Sequence, residues 1–337
     1  MGGLHYNHRR FHETLDYKKP MDVYQESIKL IIITPVYNDW EAFRLLVEDL
    51  DSLIANNYSV SILAINDGSI DNCTINFKYK SVVSIEVINL TTNMGHQRAI
   101  SVGLSSIDTE QYDLVIVMDS DGEDKVTDIS RLIESFQSSG DIVVAHRGKR
   151  SEGVLFKLFY FLYKAIFKFL TGHKISFGNF SLIPAEMIVK ITSMPESWNN
   201  FPASLIKSKL PISYVETKRG VRYFGCSKMN FSSLLLHGFS AISVFSEIVI
   251  IRSIMTFVVI LILAMLSLSI AYSLHFFVNL YTFSEWATTI IWFLVLMTAQ
   301  ILVFLFIIAF VFLSKRSDIL PTPKNMSVKF IHSIDKF

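Results

Sequence analysis

The chain is poor in charge, in cysteine and in any apolar start. Only 18% of its 337 residues are charged, whereas 51% are hydrophobic and 27 are Phe. That is greasy for a soluble protein and points toward the bilayer. The formal net charge of +1 argues neither for nor against nucleic acid by itself, and with no other feature asking for one, no nucleic-acid partner is expected. The cysteines, Cys73 and Cys226, lack metal-ligand spacing, so two reduced thiols in a cytoplasmic setting are expected. The first residues, MGGLHYNHRRFHETLDYKKP, contain no apolar run and so do not read as a signal peptide. Tyr6 stands where a myristoylation signal wants Ser or Thr. Residues 1–27, with His5, His8 and His12, read as a solvated polar tail rather than a metal site.

What is there in excess is concentrated near the C-terminus. Two uncharged runs, Ser253–Asn279 and Thr288–Leu313, are each long enough to cross about 30 Å of hydrocarbon as a helix. Residues 253–313 therefore read as a two-helix transmembrane hairpin. Arg252 precedes it, Lys315 and Arg316 follow it, and the link between its arms carries no Lys or Arg. The positive-inside rule then puts residues 1–252 and a tail at 314–337 on the cytoplasmic side of an inner or plasma membrane. A third greasy run, Val154–Leu170, contains Lys157, Lys164 and Lys168. On a helix these lysines fall within about 40° of one another. That is the pattern of a helix lying in the membrane interface, lysines toward lipid phosphates. Residues 231–252 read as a second, juxtamembrane amphipathic segment.

Residues 28–230 alternate short β-branched apolar runs with stretches of helical spacing. Leu30–Thr34, Val60–Asn66, Ile85–Leu90, Asp113–Met118 and Asp141–Ala145 read as strands buried on both faces. The pattern predicts an α/β domain with a mostly parallel, Rossmann-like central sheet. Ligands of such sheets sit beyond the carboxyl ends of the strands. Polar motifs follow the strands in order: Pro35-Val36-Tyr37-Asn38, Asn66-Asp67-Gly68-Ser69, Asn93-Met94-Gly95-His96-Gln97, and Asp119-Ser120-Asp121-Gly122-Glu123-Asp124.

The last of these brings four carboxylates to the mouth of a buried strand. Asp119 and Asp121, two apart, project to one side of an extended chain and repel unless a cation lies between them. A hard divalent ion, Mg²⁺ or Mn²⁺, resolves the repulsion and can share its remaining positions with phosphate oxygens. An EF-hand is excluded, because Gly122 is fourth in the loop instead of sixth. A phosphatase with an Asp nucleophile would want Thr or Val where Glu123 stands. Charge at a helix N-terminus accounts for Glu123 and Asp124 but not for two acids at the strand end.

As an ordered set these motifs resemble family 2 glycosyltransferases of the A-type fold. They are most similar to the branch containing dolichol-phosphate mannose synthases and bacterial polyprenyl-phosphate glucosyltransferases. The likeness continues in Arg219-Gly220-Val221-Arg222-Tyr223-Phe224-Gly225-Cys226-Ser227-Lys228 and takes in roughly residues 28–313 with the two spans. It implies that Pro35, Tyr37, Asp67 and Asn93 bound the nucleoside. Asp119 and Asp121 would hold metal and diphosphate, and Arg219, Arg222 and Lys228 would reach phosphates. Arg147, Lys149 and Arg150 stand where an anionic lipid head would arrive; attraction to the membrane surface alone is the plainer use of them. The branch's G-D-F-R-L run is here Gly178-Asn179-Phe180-Ser181-Leu182. Asn179 cannot act as a base. A sugar-hydroxyl acceptor would then need Glu123 or Asp124 for its proton, alongside the metal-binding Asp121 in the catalytic set. A phosphate acceptor is already anionic and needs none. His96 reads as a loop cap, and His237 and His275 as structural.

The resulting expectation is an inverting, metal-dependent transferase carrying sugar from a nucleotide-diphosphate sugar to undecaprenyl or another polyprenyl phosphate, with membrane lipids as further partners. A same-fold enzyme acting on a hydroxyl of a lipid-linked saccharide, and a non-catalytic nucleotide-binding membrane scaffold, are the alternatives. The sequence leaves a homo-oligomer open.

Overall fold

The computed structural model describes residues 28–55, 57–71, 73, 77–147, 154–224, 231–278, 285–314 and 321–337. The expected polar tail at 1–27 lies outside the described residues, as do Lys149, Arg150 and Lys228; Arg147 is described in its backbone only. Two compact units result: one of residues 1–158, 175–244 and 321–337, the other of 159–174 and 245–320.

The first unit is built on one eight-stranded sheet, ordered β7-β5-β6-β4-β1-β2-β3-β8. Its strands are β1 (Lys29–Val36), β2 (Ser59–Asn66), β3 (Ser84–Leu90), β4 (Leu114–Val117), β5 (Ile142–Arg147), β6 (Ser181–Pro184), β7 (Ile212–Thr217) and β8 (Ile331–Lys336). The five apolar runs of the sequence are β1 to β5. Strands β1, β2, β3 and β4 are mutually parallel, as is the pair β5 and β7, whereas β6 and β8 run antiparallel to their neighbours. The expected α/β architecture with a mostly parallel sheet is the one observed.

Helices cover both faces. On one lie α1 (Trp40–Leu53) and α3 (Asp128–Ser139), whose Phe43, Leu46, Leu50, Ile129 and Leu132 bury against Ile32 and Ile62. On the other lie α2 (His96–Ser106), α5 (Ala185–Thr192) and α6 (Phe201–Lys207), which bring Val102, Ile188 and Phe201 against Ile33, Ile65 and Val117. Burial on both faces is why these strands are apolar throughout instead of alternating. The register aligns Val36 with Asn66 and Ile33 with Val117. The carboxyl ends of β1, β2 and β4, and the motifs that follow them, therefore share one rim.

The remaining helices are α4 (Val154–Thr171), α7 (Phe231–Ser243), α8 (Ser246–Val278), α9 (Glu285–Ser314) and the single turn α10 (Pro323–Met326). The run expected at 154–170 is helical, and its described part exposes Phe161, Leu162, Ile166 and Phe169 beside Lys164 and Lys168, with Phe167 buried. In the second unit Phe167 meets Phe245 edge-on and His173 stacks on the same ring. Residues 231–252, read as one segment, are two: α7 stops at Ser243, and Ser246 already begins α8. Among the described residues two helices are long and apolar enough to cross a membrane, over Ser246–Ile270 and Thr289–Phe312, each with mean hydropathy 2.8. A helix in a soluble core would be mostly buried, yet only 0% and 17% of these windows are. They suggest membrane association.

The reading of 314–337 as a tail needs correcting. Residues 331–336 form β8, which pairs antiparallel with β3 from Glu86↔Lys336 to Leu90↔Ile331. Asn89 donates to Ser333 Oγ (2.9 Å) and Asp335 Oδ2 (2.7 Å), and Phe337 packs edge-on against Phe77. A tail would have left the backbone groups along the outer edge of β3 unpaired.

Candidate active site

Hydrogen bonds between the loops lace the rim. Asn38 N–H donates to Ser69 Oγ (2.9 Å), and Asn38 Oδ1 accepts from Ile70 N–H (2.8 Å), joining the loops after β1 and β2. Asp67 is buried, and its two oxygens accept from the Met94 and Gly95 amides at 2.7 and 3.0 Å. Its pKa is raised by burial, with the two amides and His96 working against the rise. The family resemblance implies a nucleoside contact for Asp67; what the geometry shows is that it fixes the loop that starts α2. Gly68 sits at φ +68°, where a Cβ would stand 2.5 Å from Asn93 N, so this contact between two motif loops needs glycine. Pro35 is buried and its carbonyl accepts from Ser120 Oγ (3.3 Å); Tyr37 is 46% exposed and Asn93 is exposed.

The acidic loop after β4 is folded on itself. Asp124 is buried, and its Oδ2 accepts from the Asp119 amide (3.0 Å); Asp121 Oδ1 accepts from the Glu123 amide (3.0 Å). The pKa of Asp121 is raised by burial and next by the like charge of the Asp119 carboxylate. Residues 219–223 lie across this loop as a strap. Gly220 N–H donates to Glu123 O (2.8 Å) and Tyr223 N–H to Asp121 O (2.9 Å). The approach is so close that a Cβ on Gly122 (φ +84°) would meet the Tyr223 ring at 2.8 Å. Arg222 donates through Nη2 to Asp121 Oδ2 (2.5 Å) and through Nε to Glu123 Oε1 (3.0 Å), and Arg219 pairs with Glu123 Oε2. Burial raises the Glu123 pKa, but the two guanidiniums outweigh it and hold it below the usual Glu value. A carboxylate so held is a poor proton acceptor. Glu123 and Asp124, read as candidates for that task, have here an arginine-holding and a loop-closing contact respectively.

Asp119, half-buried, turns toward α2 and the turn before β6. His96 Nε2 stands 3.1 Å from Asp119 Oδ1, and Asn179 Nδ2 lies 2.9 Å from His96 Nε2 and 3.4 Å from Asp119 Oδ1. Desolvation opposes charge on His96, but Asp119 and then Asp67 outweigh it, and its pKa is raised. His237, on α7, has its pKa lowered by desolvation and by His96, so α7 comes close to this cluster, which its sequence setting did not indicate.

The structure thus brings Pro35, Tyr37, Asp67, Asn93, Asp119, Asp121, Glu123, Asp124, Arg219 and Arg222 to one rim or the strap over it. Among the described residues no group of three or more His, Cys, Asp or Glu side chains could hold a metal ion. Two opposed carboxylates nevertheless fit a hard divalent ion that takes its other ligands from diphosphate and water.

The family model described as glycosyl transferase family 2 matches residues 31–190. A bactoprenol glucosyl transferase of Shigella phage SfX is 32% identical over 237 residues, 65% of this chain and 73% of that protein. A prophage bactoprenol glucosyl transferase homolog of Escherichia coli K12 is 31% identical over 236 residues, with the same shares of the two chains. Among solved structures, glucosyl-3-phosphoglycerate synthase from Mycobacterium tuberculosis, in complex with Mn²⁺, UDP-glucose and phosphoglyceric acid, is 12% identical with a TM-score of 0.48, covering 66% of this chain and 80% of that one. With the strand-end motifs on one rim and relatives of this identity and coverage, the chain belongs to glycosyl transferase family 2.

Proposed function

We propose that this chain transfers a hexose from a nucleotide-diphosphate sugar to a polyprenyl phosphate, such as undecaprenyl phosphate, at the cytoplasmic face of the membrane. The observation that carries the reading is the likeness to bactoprenol glucosyl transferases at 32% identity over 237 residues. An oxygen of the lipid phosphate attacks the anomeric carbon from the face opposite the leaving group. The bond from that carbon to the diphosphate breaks, and nucleoside diphosphate departs with the electron pair. A Mg²⁺ or Mn²⁺ held by Asp119 and Asp121 would supply stabilisation of the charge that grows on the leaving diphosphate. Tyr37, Asp67, Asn93 and Pro35 border the place for the nucleoside. Arg222 and Arg219 pair with Asp121 and Glu123, and the family pattern assigns both arginines to phosphates of donor or acceptor. Lys228 is assigned to a phosphate by the family pattern; Arg147, Lys149 and Arg150 follow β5 and precede α4, where an anionic lipid head or the membrane surface itself would meet them.

Asn179 supports a phosphate acceptor over a sugar hydroxyl. The site's described carboxylates are engaged with amides, arginines or His96, and a phosphate needs no base to remove a proton. Two features support the topology. Helices α8 and α9 lie in the chain between α7 and β8, and both of those belong to the first unit, so two crossings return the chain to the side it left. Arg252, Lys315 and Arg316 flank the hairpin, and the link has no Lys or Arg.

The test is transfer by the full chain in liposomes holding undecaprenyl phosphate, supplied in turn with labelled UDP-, GDP- and dTDP-hexoses. The expected product is a lipid-linked sugar that mild acid releases. Label appearing only on an added lipid-linked saccharide, in an acid-stable bond, would favour the hydroxyl acceptor. No transfer from any donor would leave the scaffold reading.

A further inference from the structure

Gln97 and Asn179 form a chain of amides whose direction is fixed from one end. Phe201 opens α6, and its N–H is one of the first-turn donors that a helix cannot satisfy internally. It donates to Gln97 Oε1 at 2.7 Å. Asn200, the residue before it, uses its own Oδ1 for the Ala203 amide (3.0 Å) and so leaves Phe201 to Gln97. With Oε1 committed, the Gln97 amino group is the end that faces Asn179, and Nε2 donates to Asn179 Oδ1 at 3.1 Å. That in turn leaves only the Asn179 amino group to face Asp119 Oδ1 and His96 Nε2, at 3.4 and 2.9 Å. The orientation of a side chain at the acidic loop is thereby set by a backbone amide two residues' contacts away.

His96 cannot take this role. Its Nε2 touches both a carboxylate oxygen and an amino group. A protonated Nε2 attracts Asp119 and opposes Asn179, and an unprotonated one does the reverse. The ring is therefore the member that adjusts, and the two amides are the fixed frame.

We propose that Gln97 and Asn179 are positioning residues for the cation site: they hold the Asp119 carboxylate in the orientation that receives a divalent metal, with the donor end of a neutral amide facing it. The inference rests on the reading of Asp119 and Asp121 as the metal pair and adds what orients one of them. Groups that orient a metal's ligands typically change affinity 10- to 100-fold when removed. In this chain an amide at 179 gives that support without the extra negative charge that a carboxylate there would add.

The experiment measures Mn²⁺ affinity by electron paramagnetic resonance on the full chain in detergent, with Mn²⁺ alone and then with Mn²⁺ and UDP. Asn179→Ala removes the donor, and affinity should fall about tenfold. Gln97→Glu keeps the acceptor for Phe201 but presents an acceptor to residue 179, so the Asn179 amide turns over and its oxygen faces Asp119; the same loss is expected. Because both changes break one relay, the double variant should be no weaker than either single variant, whereas independent effects would add. Thermal unfolding of each variant separates a lost fold from a lost relay, and the isosteric Gln97→Glu variant stays informative if the Ala variant does not fold. Variants that bind Mn²⁺ like the parent, or a double variant with additive loss, would overturn the relay while leaving the metal pair intact. A parent protein that binds no Mn²⁺ in either condition would overturn the metal reading itself and the relay with it.

Discussion

Apolar side chains meet opposite fates in the two units. In the sheet unit Leu30, Ile32, Phe43 and Val115 are fully buried, whereas in the hairpin Val259, Leu263, Phe306 and Phe310 are 55, 60, 56 and 76% exposed. The difference lies in the solvent each unit requires. The sheet unit makes its own dry interior and sends its polar groups to one rim. The hairpin has little interior of its own, and the same residue types cover its outside, which suggests association with a membrane. A substitution should therefore act on chemistry, on folding or on insertion according to where it falls.

Asp121→Ala should have the largest effect. It removes one of the two opposed carboxylates and one of the two partners of Arg222, and turnover should drop below detection while the protein stays folded and membrane-bound. Transfer assays beside thermal unfolding read this; retained turnover would break the link between the rim and the chemistry. Phe43→Ala should come next. It leaves a cavity under α1, should cost about 4 kcal/mol of stability, and should leave membrane extraction unaltered. Denaturant unfolding measures it, and a loss under about 1 kcal/mol would mean that this face is looser than its complete burial implies. Val259→Arg, near the middle of the first apolar window, should cost about 3 kcal/mol of insertion. A glycosylation-tag insertion assay would detect it, and an unchanged inserted fraction would argue that α8 does not cross the bilayer.

Asp51→Ala should be the smallest. The Asp51 carboxylate accepts from the Lys80, Ser81 and Val82 amides at 2.7 to 3.1 Å. Burial raises its pKa, but those amides win and it falls below the ordinary value of 3.8. The folded pKa is thus below the unfolded one, so this contribution is complete above about pH 4 and fades as pH falls through the folded value. The variant should lose about 1.5 kcal/mol at neutral pH, and its difference from the parent should shrink below pH 3.8. A difference that does not change with pH would remove the carboxylate from the explanation.

The parts legible in the sequence were those that depend on local pattern. Strands β1 to β5 are continuous apolar runs, and the motifs after them announced the rim. Strand β6 is four residues ending in Pro184, and β8 reads Ile-His-Ser-Ile-Asp-Lys, too polar to signal a strand. Its place comes from the open edge of β3, about 240 residues earlier, from which Asn89 reaches Ser333. At the site, Asp119, Asp121, Arg219 and Arg222 stood out as residue types in order. What each touches did not. Glu123 and Asp124 looked like available bases because sequence spacing cannot reveal that arginines 96 and 99 positions away, and an amide five positions away, engage them. The Gln97–Asn179 contact spans 82 positions, and only the fold brings it together.

The central claim is that Asp119 and Asp121 hold the cation that grips the donor's diphosphate while its sugar passes to a lipid phosphate. Its most direct measurement is transfer to undecaprenyl phosphate by the full chain in liposomes, titrated with EDTA and then with Mn²⁺ or Mg²⁺, for the parent and Asp119→Asn. The account predicts that chelation stops transfer, that either ion restores it in the parent, and that neither restores it in the variant. Transfer that persists in excess EDTA, or a variant that responds to metal like the parent, would contradict it.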